Sequence, residues 1–126
     1  TIITWFHITD TWVKQTDGQW RLAASHVVAI PNERKPLTLS AKQLDEYVGQ
    51  YQIAPEVFYT ITRTGNQLFG QRTGRAKEPL LVLYADVLFR KGVWRGEKVF
   101  ERDVRGRVFR MLDRRENNDL VWRKVK

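Results

Sequence analysis

Nucleophilic catalysis in this chain would have to start from one of two serines, Ser25 and Ser40, and the sequence contains no cysteine. Ser25 precedes His26, but neighbouring residues of a β-strand point to opposite faces, so this pair cannot form a dyad. Ser40 precedes a helical segment, where its hydroxyl is suited to capping the first turn. We therefore expect no catalytic residues and no enzymatic activity in the chain.

Metal binding would have to rest on the two histidines. His7 and His26 fall on the same face of a predicted hairpin, but the polar residues nearest to them are Thr9 and Thr11. A zinc site usually needs three or four side-chain ligands, with carboxylate or thiolate often among them. The sequence therefore predicts no metal and no other cofactor.

Two pairs of carboxylates stand close in the sequence, Asp45 with Glu46 and Glu97 with Glu101. The first pair belongs to a short predicted helix, and the second is expected on one face of a strand among basic neighbours. Such pairs are typical of solvated surface charge. No glycine-rich phosphate-binding loop stands between a strand and a helix. We expect both pairs at the surface, without a role in acid–base catalysis.

The chain carries a formal net charge of +8, and residues 37–126 hold eighteen basic residues against eleven acidic ones. Such an excess favours nucleic acid or another polyanion as a partner. The same basic residues are interleaved with Asp and Glu, which disfavours nucleic acid. The candidate polyanion surface, which has Phe109 and Trp122 as aromatic neighbours, consists of Arg105, Arg107, Arg110, Arg114 and Arg115.

The elements that would position these groups begin with a short helix. Ser40, with Gln43 three residues later, has the spacing of a capping box, which predicts a helix near residues 41–47. Gly49 is predicted to end this helix. Two large rings, suited to plugging one end of a barrel, flank that end: Tyr47 and Tyr51.

Beyond this helix the sequence alternates short β-rich segments with turns that contain Gly, Asn or Asp. Strands of this kind, spaced by about ten residues, are typical of an antiparallel meander closed into a barrel. The sequence therefore predicts a mainly β fold, with a small antiparallel barrel of about eight strands in residues 37–126. Strands are expected at residues 57–63, 67–71, 79–83, 86–90, 98–102, 107–112 and 120–125.

A barrel of about eight strands is either filled by its own side chains or holds one small molecule. Both alternatives stay open for the aromatic residues of this region, which form a core or line a cavity for a small apolar ligand. The candidate ligand-binding residues are Tyr51, Tyr59, Phe69, Phe89, Trp94, Phe100 and Trp122.

Residues 1–30 contain two β-rich runs joined at Asp17-Gly18, a strong signal for a tight turn in which both residues have positive φ. This turn predicts a register in which Val13 faces Leu22. Both faces of the hairpin are then substantially apolar, and an isolated two-stranded sheet is marginally stable in water. We expect the chain to associate with itself through a surface formed by Phe6, Ile8, Trp12 and Val27.

The segment at residues 31–36 has a proline at each end and charged residues between them. Prolines disfavour both helix and strand pairing, so we predict an extended linker here. The expected organisation is a hairpin at residues 1–30, the linker, and a barrel domain at residues 37–126.

The hairpin carries a family resemblance. The stretch at residues 10–26, DTWVKQTDGQWRLAASH, resembles the last two strands of the SnoaL-like family, cone-shaped α+β domains related to nuclear transport factor two. In that family a helical layer and a bent sheet enclose a pocket. Only the two final strands are matched, so the resemblance implies neither that pocket nor an activity for residues 1–30.

The rest of the chain carries a second resemblance, which covers residues 39–126. Its motifs are YVGQY at residues 47–51, TITR at 60–63, Phe89, FERD at 100–103 and GRV at 106–108. This pattern is similar to the uncharacterised lipocalin-like domain often found behind the catalytic domain of serine beta-lactamase-like hydrolases. The resemblance implies an eight-stranded antiparallel barrel that serves as an accessory module.

No apolar run approaches the ~20 residues of a membrane-spanning helix, and no signal-peptide pattern is present. We expect a soluble chain, and an extracytoplasmic location after removal of a leader stays open because the sequence begins at Thr1. The predicted function is a non-catalytic accessory or interaction module with a structural or oligomerisation role. Small-ligand binding in the barrel and polyanion binding by the arginine-rich face are the alternatives.

Overall fold

The computed structural model describes residues 3–30, 34–93, 95–115 and 117–126. The chain forms two compact units, one up to residue 33 and the other from Arg34 onward. The first contains a two-stranded hairpin, and the second contains a closed barrel of eight antiparallel strands with one short helix. The predicted mainly β architecture, a hairpin followed by a barrel of about eight strands, is confirmed.

The hairpin consists of β1 (Trp5–Lys14) and β2 (Trp20–Ile30). The turn between them differs from the prediction, because Gly18 has a positive φ of 82° while Asp17 does not. The amide of Gln15 donates a hydrogen bond to the carbonyl of Gln19 at 2.8 Å, so the loop is longer than a two-residue turn.

This longer loop is accompanied by a bulge in β2. Trp12, rather than Val13 as predicted, lies opposite Leu22, because the register shifts by one residue at Ala23. A bulge changes which residues share a face beyond it. It therefore places Leu22 and Trp20 on the same face of the hairpin as Trp12. Farther from the turn, the paired residues match the predicted register.

The barrel is built from strands that each pair with the next one along the chain. The last strand then closes the barrel against the first, with the final-strand residue Lys124 opposite Tyr51. The strands are β3 (Gly49–Ala54), β4 (Val57–Thr64), β5 (Gln67–Arg72), β6 (Glu78–Tyr84), β7 (Val87–Arg90), β8 (Lys98–Arg102), β9 (Val108–Arg114) and β10 (Asp119–Lys124).

Helix α1 spans Ala41–Asp45 and begins as predicted, with Ser40 and Gln43 forming a complete capping box. The predicted end at Gly49 is wrong, since the helix already ends at Asp45 with Glu46 as its C-cap. Gly49 is instead the first residue of β3, where a Cβ would collide with the carbonyl oxygen of Lys126. No helix in the described part of the chain is both long and apolar enough to cross a membrane.

The core lies inside the barrel, because side chains alternate between the interior and the exterior along each strand. On β4, for example, Tyr59 and Ile61 are buried while Thr60 is partly exposed. Leu44 and Tyr47, from α1 and the turn after it, join this core at one end. The other core residues are Tyr51, Leu68, Leu80, Val82, Leu88, Phe100, Val108, Met111 and Trp122.

Ionic contacts fix the helix to that end of the barrel, which we call the helix end. Arg102 of β8 contacts Asp86, in the turn between β6 and β7, at 2.7 Å, and Glu46 at 2.5 Å. The Tyr47 hydroxyl donates a hydrogen bond to the Asp86 carboxylate at 3.1 Å. Arg63, at the end of β4, donates to Asp45 at 2.6 Å. Among the described residues, no helix covers the opposite end of the barrel.

Part of the predicted linker contacts the barrel. Arg34 forms an ion pair with Glu97, and its guanidinium group lies 5.4 Å from the centre of the Phe89 ring. Leu37 forms an isolated bridge with Val82 of β6. The expectation that Glu97 is solvated surface charge is wrong, because Glu97 is only 7% exposed. Residues from Arg34 onward are therefore part of the barrel unit.

We expect a fragment of residues 34–126 to be more stable than one of residues 37–126. The shorter fragment loses Arg34 and leaves the buried carboxylate of Glu97 without this partner, at a cost of about 1–3 kcal/mol. The free energy of unfolding in urea, followed through the barrel amide resonances, measures the difference. Glu97→Gln, introduced into both fragments, is the matched control. It should reduce the difference in free energy of unfolding between them, because it removes the buried charge. Equal stabilities of the unsubstituted fragments would contradict the assignment of Arg34 to the barrel.

Candidate functional site

A pocket of about 450 Å³ opens at the end of the barrel opposite helix α1, which we call the pocket end. Ligand-binding pockets in proteins typically have volumes of about 300–1,000 Å³. The side chains around it are mainly ionic and aromatic, and small residues leave room between them. They are Tyr59, Gly70, Arg72, Arg75, Ala76, Glu78, Arg90, Gly96, Lys98, Asp113, Arg115 and Trp122.

The ionic lining follows from the alternation of the strands. On each strand from β5 to β9, the interior position nearest the pocket end carries a charged residue, and the interior positions deeper in the barrel are mostly apolar. Arg72 follows Leu68 and Gly70 along β5, for example, and Lys98 precedes Phe100 on β8. The five charged residues are Arg72, Glu78, Arg90, Lys98 and Asp113.

Two ion-paired groups hold part of this lining in place. Lys98 Nζ donates to Asp113 Oδ1 at 2.9 Å, and both residues are buried. Arg115 donates to the other oxygen of Asp113 at 2.6 Å. Arg90 contacts Glu78 at 3.1 Å. The two carboxylates of the pocket are thus already engaged by protein cations.

The electrostatics of Lys98 reflect its burial. Removal from water lowers the pKa of the Lys98 ammonium below its ordinary value, and the Asp113 carboxylate opposes this shift. The ammonium also lies 4.6 Å from the centre of the Tyr59 ring. Burial raises the pKa of the Tyr59 phenol, and the negative charge of Asp113 adds to the increase. Tyr59 is therefore a neutral hydrogen-bonding group at physiological pH.

Two further cations line the pocket without a carboxylate partner among the described residues, Arg72 and Arg75. The guanidinium of Arg72 lies 5.6 Å from the centre of the Trp122 ring. Arg75 lies in the turn after β5, and its amide donates to the carbonyl of Arg72 at 2.9 Å. The lining therefore contains five cationic side chains and two acidic ones, both of them paired.

Two buried polar atoms of the lining residues have no hydrogen-bond partner within the described chain, Tyr59 Oη and Trp122 Nε1. Trp122 is 1% exposed and Tyr59 is 6% exposed. The Tyr59 hydroxyl lies against Gly70, in space that a Cβ at that position would occupy. Buried polar groups in proteins are nearly always hydrogen-bonded, so two orphaned groups around one pocket mark it as a candidate binding site.

The structure divides the seven aromatic candidates for ligand binding. Tyr59 and Trp122 line the pocket, and their rings are 5.9 Å apart. Tyr51 and Phe100 contact each other deeper in the core. Phe69 and Phe89 point to the outside of the barrel, because each is adjacent to an inward-facing residue on its strand, and Trp94 lies outside the described residues.

The ionic lining of the pocket was not predicted. Residues 72–78 fall between the predicted strands at 67–71 and 79–83, and Lys98 begins the predicted strand at 98–102 with no inward role assigned to it. The available signal was the alternation of each strand, since Lys98 stands two residues before Phe100, and Arg90 two after Leu88. A charged residue in step with buried apolar ones predicts an interior position near a strand end.

The five arginines of the candidate polyanion surface are largely engaged by carboxylates. Arg107 contacts Asp103 at 3.0 Å, Arg114 contacts Asp119 at 3.1 Å, and Arg115 contacts Asp113. Arg110 pairs with Glu101, so four of the five guanidinium groups have a carboxylate partner. Arg105 differs, because it is its backbone amide that donates to Asp103, at 2.9 Å. This pairing reduces the positive charge available to a polyanion.

The hairpin residues considered for chemistry are Ser25, His7 and His26. Ser25 donates a hydrogen bond to Asp10 at 2.6 Å, directly across the two strands. His7 and His26 share the opposite face, at diagonal positions. Within residues 3–30, 34–93, 95–115 and 117–126, no three metal-ligating side chains come together.

The candidate self-association surface lies on one face of the hairpin. Phe6, Ile8, Trp12 and Val27 are all exposed, with Ile8 at 63% and Trp12 at 53%. Ile8 lies directly opposite Val27. The bulge adds Trp20 and Leu22, both exposed, to this face. We refer to these six residues as the apolar face of the hairpin.

Comparisons of the chain with models of protein families, with curated proteins and with solved structures gave no match.

Proposed function

We propose that the barrel is a non-catalytic binding module that holds a small molecule in the pocket. The observation that supports this function is the pair of orphaned polar atoms around the pocket, Tyr59 Oη and Trp122 Nε1. Leaving a buried polar group unpaired costs about 1–3 kcal/mol. Both atoms are shielded from solvent in the free protein, so a bound molecule would offset this cost when the lining side chains shift and let it supply hydrogen-bond partners.

Binding rather than catalysis fits the chemistry of the described lining. It contains no serine, threonine, histidine or cysteine, and its buried Lys98 is already paired with Asp113. The two carboxylates of the lining, Glu78 and Asp113, are engaged by Arg90, Lys98 and Arg115, which disfavours their use as a general acid and base. The resemblance to lipocalin-like accessory domains is consistent with a module that binds and does not convert its ligand.

Two matched naphthalene compounds test this function, 2-naphthoate and its neutral amide, 2-naphthamide. We expect at least one of them to shift the amide resonances of strand ends around the pocket, such as those of Arg72, Lys98 and Asp113. Ala76→Trp places a large ring at the mouth of the pocket and should abolish these shifts. Shifts confined to the hairpin, or unchanged by Ala76→Trp, would refute the proposal.

Tyr59→Phe should make the ligand-free protein more stable by about 1 kcal/mol, because it removes a buried hydroxyl that has no partner. The ring near Lys98 is retained. The same variant should bind the naphthalene compound more weakly. Urea unfolding measures the stability of the free protein, and a titration measures its affinity for the naphthalene compound. A role in binding predicts that the substitution raises the stability and lowers the affinity.

Tyr51→Phe is the matched control for this variant. It removes the same hydroxyl from the same barrel interior, but Tyr51 Oη donates to the carbonyl oxygen of Tyr47 at 2.8 Å. We expect Tyr51→Phe to lower the free energy of unfolding by about 1 kcal/mol. If both substitutions are destabilising to the same extent, the Tyr59 hydroxyl has a partner in the free protein.

A second candidate function, self-association, is favoured by the apolar face of the hairpin. Its six side chains are between 45% and 63% exposed. Exposed apolar patches of about 300–600 Å² or more are often interaction sites. The two strands also have outer edges that offer unpaired backbone groups to another copy. We therefore propose that the hairpin pairs with the hairpin of a second chain.

Trp12→Asp should convert such a dimer to a monomer, because association would bury an unpaired carboxylate at a cost of about 2 kcal/mol or more. Thr11→Asp adds the same charge one residue away on the opposite face and should leave the dimer intact. Light scattering after gel filtration gives the masses. A monomeric parent chain at micromolar concentration would end this proposal.

A further inference from the structure

We infer that the ligand of the barrel pocket is an organic anion, bound through a carboxylate or phosphate group. This inference rests on the proposed small-molecule function of the same pocket and adds the chemical class of the ligand. It differs from the small apolar ligand that the sequence left open as one alternative, because the described lining is dominated by hydrogen-bond donors and positive charge.

The described lining of the pocket carries an excess of positive charge. Of the five cations in the lining, Lys98 and Arg115 share the carboxylate of Asp113, and Arg90 contacts that of Glu78. No carboxylate within the described chain contacts Arg72 or Arg75. A guanidinium group presents donors in a planar fork that matches a carboxylate or phosphate. These two arginines therefore provide an anion site at the pocket.

The inner lining of the pocket presents mainly hydrogen-bond donors. The Trp122 indole nitrogen is only a donor, and the Lys98 ammonium is only a donor. Tyr59 Oη carries a proton, since burial raises its pKa. The Trp122 nitrogen is shielded from solvent in the free protein, so a ligand reaches it only when the lining side chains shift. That ligand must then bring an acceptor atom, which an oxyanion supplies and an ammonium group does not. Cationic ligands would also face the net positive charge of the lining.

The aromatic residues of the lining bear on the remainder of the ligand, apart from its anionic group. The guanidinium of Arg72 lies over the ring of Trp122, and Tyr59 contacts that ring edge on. Trp122 and Tyr59 are 1% and 6% exposed, so they form a buried wall of the pocket rather than open aromatic faces. Together with Gly70, Ala76 and Gly96 they give the lining an uncharged part, which favours an uncharged body attached to the anionic group. A volume of about 450 Å³ accommodates a body of the size of one or two fused rings.

The experiment compares four naphthalenes that share one ring system, namely 2-naphthoate, 2-naphthyl phosphate, neutral 2-naphthamide and the cation 2-naphthylmethylammonium. Their affinities for the full chain are measured by titration of the pocket amide resonances. We expect at least one anion to bind about tenfold more tightly than the amide, and the cation to bind least well. The ratio of naphthoate to naphthyl phosphate separates a carboxylate from a phosphate ligand.

The double variant Arg72→Gln/Arg75→Gln should remove the preference for the anion while binding of the amide changes little. Arg123→Gln is the matched control for lost charge, because Arg123 is exposed on the outer face of β10, and it should retain the preference. Equal affinity of the amide and the anions in the pocket would overturn this inference and leave the proposed function standing. Absence of pocket binding by all four compounds would overturn both.

Discussion

Asp113→Leu is expected to lower the free energy of unfolding of the barrel by about 3–5 kcal/mol. Asp113 is 4% exposed and accepts from Lys98 at 2.9 Å and from Arg115 at 2.6 Å. Removing its carboxylate leaves the buried ammonium of Lys98 without its partner in a region of low dielectric constant. Urea unfolding, followed through the amide resonances of the barrel strands, measures the loss without contributions from the hairpin.

The double variant Lys98→Met/Asp113→Leu distinguishes two causes of instability, the unpaired charge of Lys98 and altered packing at position 113. Replacing both members of a buried pair by apolar residues of similar size is often nearly neutral, so most of the stability should return. A double variant as unstable as Asp113→Leu would show that the charge of Lys98 is not the cause. Both substitutions also change the lining of the pocket, because Lys98 and Asp113 belong to it.

The Asp113→Leu variant should also regain stability relative to the parent as the pH rises. Burial already lowers the folded-state pKa of Lys98, and removal of the Asp113 charge lowers it further. The unfolded chain then binds more protons than the folded one in the alkaline range below the unfolded pKa of Lys98, so stability increases with pH there. Parallel pH profiles for variant and parent would contradict this account.

Gly49→Ala is expected to destabilise the barrel by about 3 kcal/mol, through backbone strain and a steric collision together. Gly49 has a φ of 149°, which L-residues rarely adopt, and its Cβ would collide with the carbonyl oxygen of Lys126. That carbonyl accepts from the amide of Gln50 at 3.0 Å where β3 meets the end of the chain. The substitution therefore acts on the closure of the barrel.

Gly65→Ala is the control that separates these two causes. Gly65, in the turn between β4 and β5, also has positive φ, at 57°, but a Cβ there meets no atom within 4 Å. Its cost should be about 1 kcal/mol, from backbone strain alone. If the two variants unfold at the same urea concentration, the collision with Lys126 contributes nothing to the loss of stability in Gly49→Ala.

Features that depend on local sequence were predictable. The capping box of Ser40 and Gln43 requires only a spacing of three residues, and the strands of the barrel follow from alternation and turn residues. The bulge at Ala23 was not predictable, because it depends on which of several turn geometries Asp17-Gly18 adopts. The dipeptide permits a two-residue turn and the longer loop alike.

The candidate site was harder to predict than the fold for a related reason. Its charged residues lie at the ends of five strands, separated by up to some forty positions in the sequence, and only closure of the barrel brings them together. Arg72 and Glu78 flank a segment whose composition is that of a solvated loop. Their inward orientation is set by pairing with neighbouring strands, since Arg72 lies opposite Tyr59.

The closure between β10 and β3 has a consequence for how the barrel folds. Every other strand pair joins consecutive strands, which can assemble as successive local hairpins, but this pair joins the two ends of the sheet. Its formation requires the largest loss of loop entropy in the barrel, so we expect it to limit the folding rate. Until it forms, β3 and β10 are open edges that can pair with other chains, and newly made protein is most prone to aggregate in that interval.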